Sequence, residues 1–204
     1  MPLPCFRTVI FAPALALAVL LSSPAAATVS QDPAQLPAGS YTNDPAHTSV
    51  TARVRHMGVS FYVMRFDHVT AHFTYDPRTP ETAQVDATVQ TDSLDVGASY
   101  SHQFANQFLD AEHFPTMTFV STGLHRTGPN TGTMTGNLTM RGVTHEETFD
   151  VTFNGVGPGL IPLTTHAGFT AVANIKRSDF GSNAWQSVVG DDVTITIEAE
   201  FAHH

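Results

Sequence analysis

Cysteine, tryptophan and positive charge are scarce in this chain: one Cys, one Trp and only nine Lys and Arg among 204 residues. Each scarcity excludes something. The single cysteine, Cys5, lies in the first 27 residues and ahead of an apolar run, so the remainder has no disulfide and no thiol nucleophile. The position of Cys5 before that run is also wrong for lipid attachment at a cleavage site. The fold must therefore be held by packing alone. Nine basic residues against eighteen acidic ones give a net charge of −9, and the sequence shows no basic patch. That argues against nucleic acid and against anionic membrane surfaces as partners. Charged residues make up 13% of the chain and hydrophobic ones 42%, which suits one globular domain with one sizeable core.

Catalytic signatures are missing too. The sequence has no Gly-x-Ser-x-Gly elbow, no phosphate-cradling glycine loop, no His-Glu-x-x-His helix and no reactive cysteine. Asp191 and Asp192 are adjacent, which places them on opposite faces of a strand and leaves general acid–base work unsupported. No catalytic residue is expected. Histidine is plentiful, at eleven, but scattered. His68 and His72 share a strand face about 13 Å apart, too far to chelate one ion together. His203 and His204 are terminal, and no short-spaced ligand pattern exists, so no metal site is expected.

What is present begins with a leader. Arg7, an apolar run from Val9 to Leu21 and the triplet Ala25-Ala26-Ala27 read as a secretory signal peptide over residues 1–27, cut after Ala27. Pro13 and Pro24 interrupt the run, which is short for a bilayer span. The expected product is a periplasmic protein with no stable membrane anchor. Without Arg7 it carries eight basic and eighteen acidic residues, a net of −10. Residues 28–40, "TVSQDPAQLPAGS", read as an extended lead-in, and residues 41–204 as the folded domain.

Within that domain the dominant period is two, the mark of strands with unlike faces. Val50, Ala52, Val54 and His56 share one face of their run; Val69, Ala71, Phe73 and Tyr75 share another; Ala83, Val85, Ala87 and Val89 a third. Val193, Ile195, Ile197, Ala199 and Phe201 repeat the pattern near the end. Turn signals separate the runs: "YDPRTPE", "HRTGPNTG" and "MRGVTHEE" read as hairpin connections, and "GVGPGLIPL" as a further interruption. One segment differs, residues 99–111, where Phe104 and Phe108 are spaced as on a helix and Pro115 acts as a stop. The expectation is an all-β protein, a barrel or a sandwich, with one short helical segment.

The stretch "IKRSDFG" packs two cations and an anion directly before a glycine. On a continuing strand Arg177 and Asp179 would share a face and form a polar cluster at the barrel end, since an unpartnered buried Arg is strongly unfavourable. Such a cluster has two readings: a structural latch, or a contact for a polar headgroup, with Arg177 as donor to a phosphate or a quinone ring oxygen. His56, ending the first strand run, is a second headgroup candidate.

Four motifs in order, "YTNDPAHTSVTARVRHMGVS", "FLDAEHFPTMTFVSTGL", "GNLTMRGVTHEETFDVTF" and "IKRSDFGS" followed by "VGDDVTITIEAEF", resemble the YceI family over residues 40 to 201. That resemblance implies an exported, lipocalin-like antiparallel β-barrel of about eight strands, often a homodimer, holding a polyisoprenoid chain in an elongated interior. On this reading the apolar channel is lined by Val50, Ala52, Val54, Val85, Ala87, Val89, Phe104, Phe108, Phe119, Ala173 and Ile175. The bound lipid is a ligand, and no cofactor is implied. One departure stands out: where the family usually carries a Gly-x-Phe pattern this chain has "MRFDHVTAHF", so the pocket edge is expected to differ. The implied function is carriage or storage of an isoprenoid quinone or its precursor. The alternative is a noncatalytic envelope or stress protein whose barrel is packed shut and which acts through protein contacts.

Overall fold

The computed structural model describes residues 28–159 and 164–204. The leader reading falls on residues 1–27, outside the described residues. Eleven antiparallel strands follow in order: β1 (Gly39–Asn43), β2 (Ser49–His56), β3 (Ser60–Phe66), β4 (Val69–Tyr75), β5 (Gln84–Gln90), β6 (Leu94–Asp95), β7 (Thr116–Arg126), β8 (Thr131–Met140), β9 (Val143–Pro158), β10 (Thr165–Lys176) and β11 (Val189–His203). They make eight staves. The pairs β1/β2, β3/β4 and β5/β6 are each one stave broken by a short joint, because β11 pairs first with β2 and then with β1, and β4 and β3 continue the same alignment. Pairing of β1 with both β4 and β11 closes the sheet into a barrel.

The joints have local causes. Pro45 has no N–H to give a ladder, and the Asp44 carboxylate instead accepts from the Ala46 N–H at 2.8 Å, turning Pro45–His47 into a single 3₁₀ turn. Across the gap the buried Asn43 side chain accepts from the Ala71 N–H at 2.7 Å and donates to the Val69 carbonyl at 3.2 Å. Thr91, fully buried at the third joint, donates its hydroxyl to the Phe114 carbonyl and its N–H to that of Pro115. Side chains replace the ladder where the staves break.

The helical segment is one α-turn, α1 (Ser101–Phe104), running into a π-turn (Ala105–Leu109) that ends at Asp110 with φ 53°. It lies over one end of the barrel. The lead-in departs from the extended form expected for residues 28–40. Pro33–Gln35 form a 3₁₀ turn, Leu36 is buried, and Ser30 exchanges two backbone hydrogen bonds of 2.8 Å with Val156. The "GVGPGLIPL" interruption also moves: β9 continues through Gly155 and Gly157 to Pro158, paired with β10, and residues 160–163 lie outside the described ones. Gly155 permits this because its φ is 151° and a Cβ there would meet Val29 Cγ1 at 2.6 Å. Bonds from the lead-in keep the strand going where local composition reads as a break.

Candidate ligand-binding channel

The alternation places one face of every stave inward. Val50, Ala52, Val54 and His56 on β2, Val85, Ala87 and Val89 on β5, Phe119 on β7, Ile175 on β10, and Phe104 and Phe108 on the helical segment all line one cavity of about 850 Å³. Ala173 shares the inward face of β10 but is packed into the core, 3% exposed, and is not on the cavity wall. Residues that complete the wall include Met64, Phe73, Phe149, Phe153, Phe169 and Ile197; the same period-two rule finds each once its strand is known.

The cavity is apolar along its length, and its polar groups gather near the ends. At the helical end stand His56, Tyr62, Gln103, Arg177 and Ser182; at the other are Arg126, Asn130 and Thr131. Midway, the Thr48 hydroxyl is buried on the wall with no hydrogen-bond partner among the described residues. The lead-in residues Pro33, Ala34 and Leu36 line the far end. No sequence signal marked them except that Leu36 is an apolar residue in a mostly small and polar segment. The near end carries a ring of aromatics. Phe104 meets Tyr100 at 4.9 Å, Phe108 at 5.6 Å and Trp185 at 5.9 Å between ring centroids.

In the "KRSDFG" knot the charged side chains find partners other than those expected. The strand ends at Lys176 and Arg177–Phe180 form a 3₁₀ turn, so the alternation that would put Arg177 beside Asp179 does not apply. Arg177 is buried and donates Nε to the Gly190 carbonyl at 2.8 Å, Nη1 to Ser182 at 2.6 Å and Nη2 to Val189 at 3.0 Å. Burial pushes its pKa down, opposed by the Asp191 carboxylate. Asp191 in turn accepts from the N–H and hydroxyl of Ser178 at 2.9 and 2.8 Å, which draw its pKa down. Lys176 holds Asp192 at 2.9 Å. Asp179 is exposed and away from the cavity; it contributes its carbonyl to the His145 ring at 3.1 Å. Phe180, fully buried, packs edge-on to that ring. The knot thus ties the end of β10 to the start of β11, and only Arg177 of the expected pair reaches the channel.

Among the described residues, one group that could hold a metal ion forms, where a histidine meets two carboxylates. One donor atom each from Asp44, His47 and Glu200 lies within 4.8 Å of the others. The atoms are engaged with one another and their neighbours: Asp44 with His47 at 2.8 Å, and Glu200 with His166. The Asp44 carboxylate raises the pKa of His47, and the hydrogen bond from that ring lowers the pKa of Asp44.

A through-barrel apolar cavity on an eight-stave antiparallel frame defines a class, the lipocalin-like binding barrel. The YceI-like domain model matches residues 41–201, and the chain belongs to the YceI family. It is 36% identical over 138 residues to the UPF0312 protein PputGB1_5030 of Pseudomonas putida (strain GB-1), covering 66% of this chain and 71% of that one. The UPF0312 protein Shewana3_1179 of Shewanella sp. (strain ANA-3) is 34% identical over 139 residues, covering 67% and 72%. Among solved structures, BcnA of Burkholderia cenocepacia superposes with a TM-score of 0.67 at 29% identity, over 78% of this chain and 98% of that one. A polyisoprenoid-binding domain from Saccharophagus degradans, implicated in plant cell wall breakdown, superposes at 0.59 with 11% identity, over 80% and 98%, and so shares the fold. No helix among the described residues is long and apolar enough to cross a membrane.

Proposed function

We propose that this protein binds and carries, or stores, a polyisoprenoid lipid such as an isoprenoid quinone or its precursor, in the periplasm after removal of the leader. The observation that carries the reading is the cavity of about 850 Å³ running between the two barrel ends with an apolar wall. Burying ten methylene equivalents there contributes about 8 kcal/mol gross, before the costs of ordering and association, so useful affinity needs a long chain. The fold shared with a polyisoprenoid-binding domain supports the same class of ligand. In this reading the chain lies along the barrel and its polar head sits at the helical end near His56, Gln103 and Tyr62. Arg177 is committed to three carbonyls and offers the head only its remaining N–H groups. Release follows when a membrane or partner offers the chain a competing environment. Self-association into a homodimer is compatible with carriage and not required by it.

A packed barrel acting through protein contacts is the competing reading, and the open channel counts against it. Trp185, the single tryptophan, stands on the channel wall against Phe104 and Phe108, so its fluorescence reports occupancy. Titrating lipid-free protein with a long-chain isoprenoid quinone should quench it saturably, and a short-chain analogue should bind far more weakly. Equal response to both chain lengths, or none to either, would remove the carrier reading.

A further inference from the structure

The β2–β3 hairpin carries a surface that the channel does not use. Its turn residues Met57 and Gly58 both have positive φ, 52° and 72°, and the Val59 N–H closes the turn on the His56 carbonyl at 3.1 Å. Because β2 and β3 pair with His56 opposite Ser60, Met57, Gly58 and Val59 form a tight tip that holds its side chains in solvent: Met57 is 62% exposed and Val59 84%. Behind the tip, the outward residues of β3 are Phe61 and Val63, both exposed, opposite Arg55 and Arg53 of β2. The two guanidinium carbons stand 4.6 Å and 3.4 Å from the Phe61 ring centroid. From Ser49 to Phe66 there is no carboxylate, while Arg53, Arg55 and Arg65 are three of the nine basic residues of the whole chain.

The tip is part of the channel mouth. The Met57 N–H donates to the Val188 carbonyl at 2.6 Å, joining the hairpin to the loop that holds the exposed Trp185. Tyr100, also exposed, stacks near Phe104 at the same end. We propose that this rim is a docking surface for an anionic lipid bilayer, with Met57, Val59, Trp185 and Tyr100 entering the headgroup region and Arg53 and Arg55 meeting lipid phosphates. An apolar tip without ionised atoms loses little on leaving water, and Trp and Tyr favour the membrane interface. The overall charge of −9 opposes approach to an anionic surface, but screening confines each charge to about 10 Å at 0.1 M salt, so the local cations govern contact. Alternation alone puts Arg53 and Arg55 on one face; what the sequence does not show is that this face is the outer one and that Phe61 and Val63 of β3 lie across from it. Docking this way sets the mouth against the bilayer, and a chain passes into the barrel without crossing water. The purpose of the surface rests on the carrier reading; its existence is tested without a cargo.

The test is co-sedimentation of lipid-free protein with vesicles of phosphatidylcholine, with and without phosphatidylglycerol. The protein should sediment with the anionic vesicles and be released by added NaCl. Replacing Arg53→Gln and Arg55→Gln together should weaken binding roughly 25-fold, about five-fold for each cation. Met57→Asp with Val59→Asp should abolish it, while Val120→Asp, at an exposed position on the outer wall of β7, should leave it unchanged. The tip variant should still quench Trp185 on uptake of a detergent-dispersed isoprenoid quinone, which shows that it is folded and that docking is separate from carriage. Indifference to phosphatidylglycerol, or a tip variant that sediments like the wild type, overturns the proposal. So does conversion of a dimer to a monomer by the tip substitutions with no change in sedimentation, because the face would then belong to a second copy. Docking without any lipid uptake would instead count against the carrier reading alone.

Discussion

Arg177 gives three N–H groups to the carbonyls of Ser182 and of Val189 and Gly190 at the start of β11, and its removal would leave buried acceptors without partners. Each such loss costs about 1 to 3 kcal/mol. Arg177→Met should therefore lower stability by roughly 3 kcal/mol or more in urea unfolding, and Arg177→Lys should recover little, because an ammonium cannot reproduce the fork. A Met variant as stable as the wild type would contradict the latch. The second residue-scale test concerns Asp44 and His47. His47 has a raised pKa through its bond to Asp44, so its contribution is complete below about pH 6.5 and is lost as pH rises through the raised value. Asp44 has a lowered pKa, so its contribution is present above about pH 3.9 and is lost as pH falls through the lowered value. The stability difference between wild type and His47→Ala should be greatest between these limits and shrink on both sides. A difference that does not vary with pH would show that the pair is not coupled to folding.

Elements set the shape of the channel, and much of their layout was legible in the sequence. Period two grouped the residues that share a face on β2, β4, β5 and β11, and on each of these strands that group lines the cavity; which face points inward is set by closure of the barrel around an apolar lumen, not by the alternation itself. What could not be read locally was decided by partners distant in sequence. Asp179 turned outward because β10 ends at Lys176 and the chain turns through Arg177–Phe180, where the guanidinium reaches the carbonyls of Ser182, Val189 and Gly190. The lead-in became the far wall of the cavity through Ser30 pairing with Val156, a contact that spans most of the chain. The small residue Ala87 sits opposite Ala71 and Phe119 on neighbouring staves and lines the cavity. Ala87→Phe should fill this part of the channel, at a cost of about 1 to 3 kcal/mol for overpacking, and weaken the Trp185 quench by long-chain quinone while the barrel stays folded. Unchanged uptake by a folded variant would place the chain elsewhere.

Across the whole molecule, three properties point the same way: an acidic exterior, an apolar lumen, and one mouth whose rim is cationic and apolar at once. The alanines at positions 52, 71 and 87 on the cavity wall leave the lumen open where larger side chains would narrow it. The most direct test of the central claim is native mass spectrometry of the protein purified from its own cell envelope, followed by organic extraction and identification of what is released. The account predicts a near-stoichiometric polyisoprenoid, lost on extraction and regained on adding the same lipid. A protein isolated without lipid that also refuses added polyprenyl chains would contradict it.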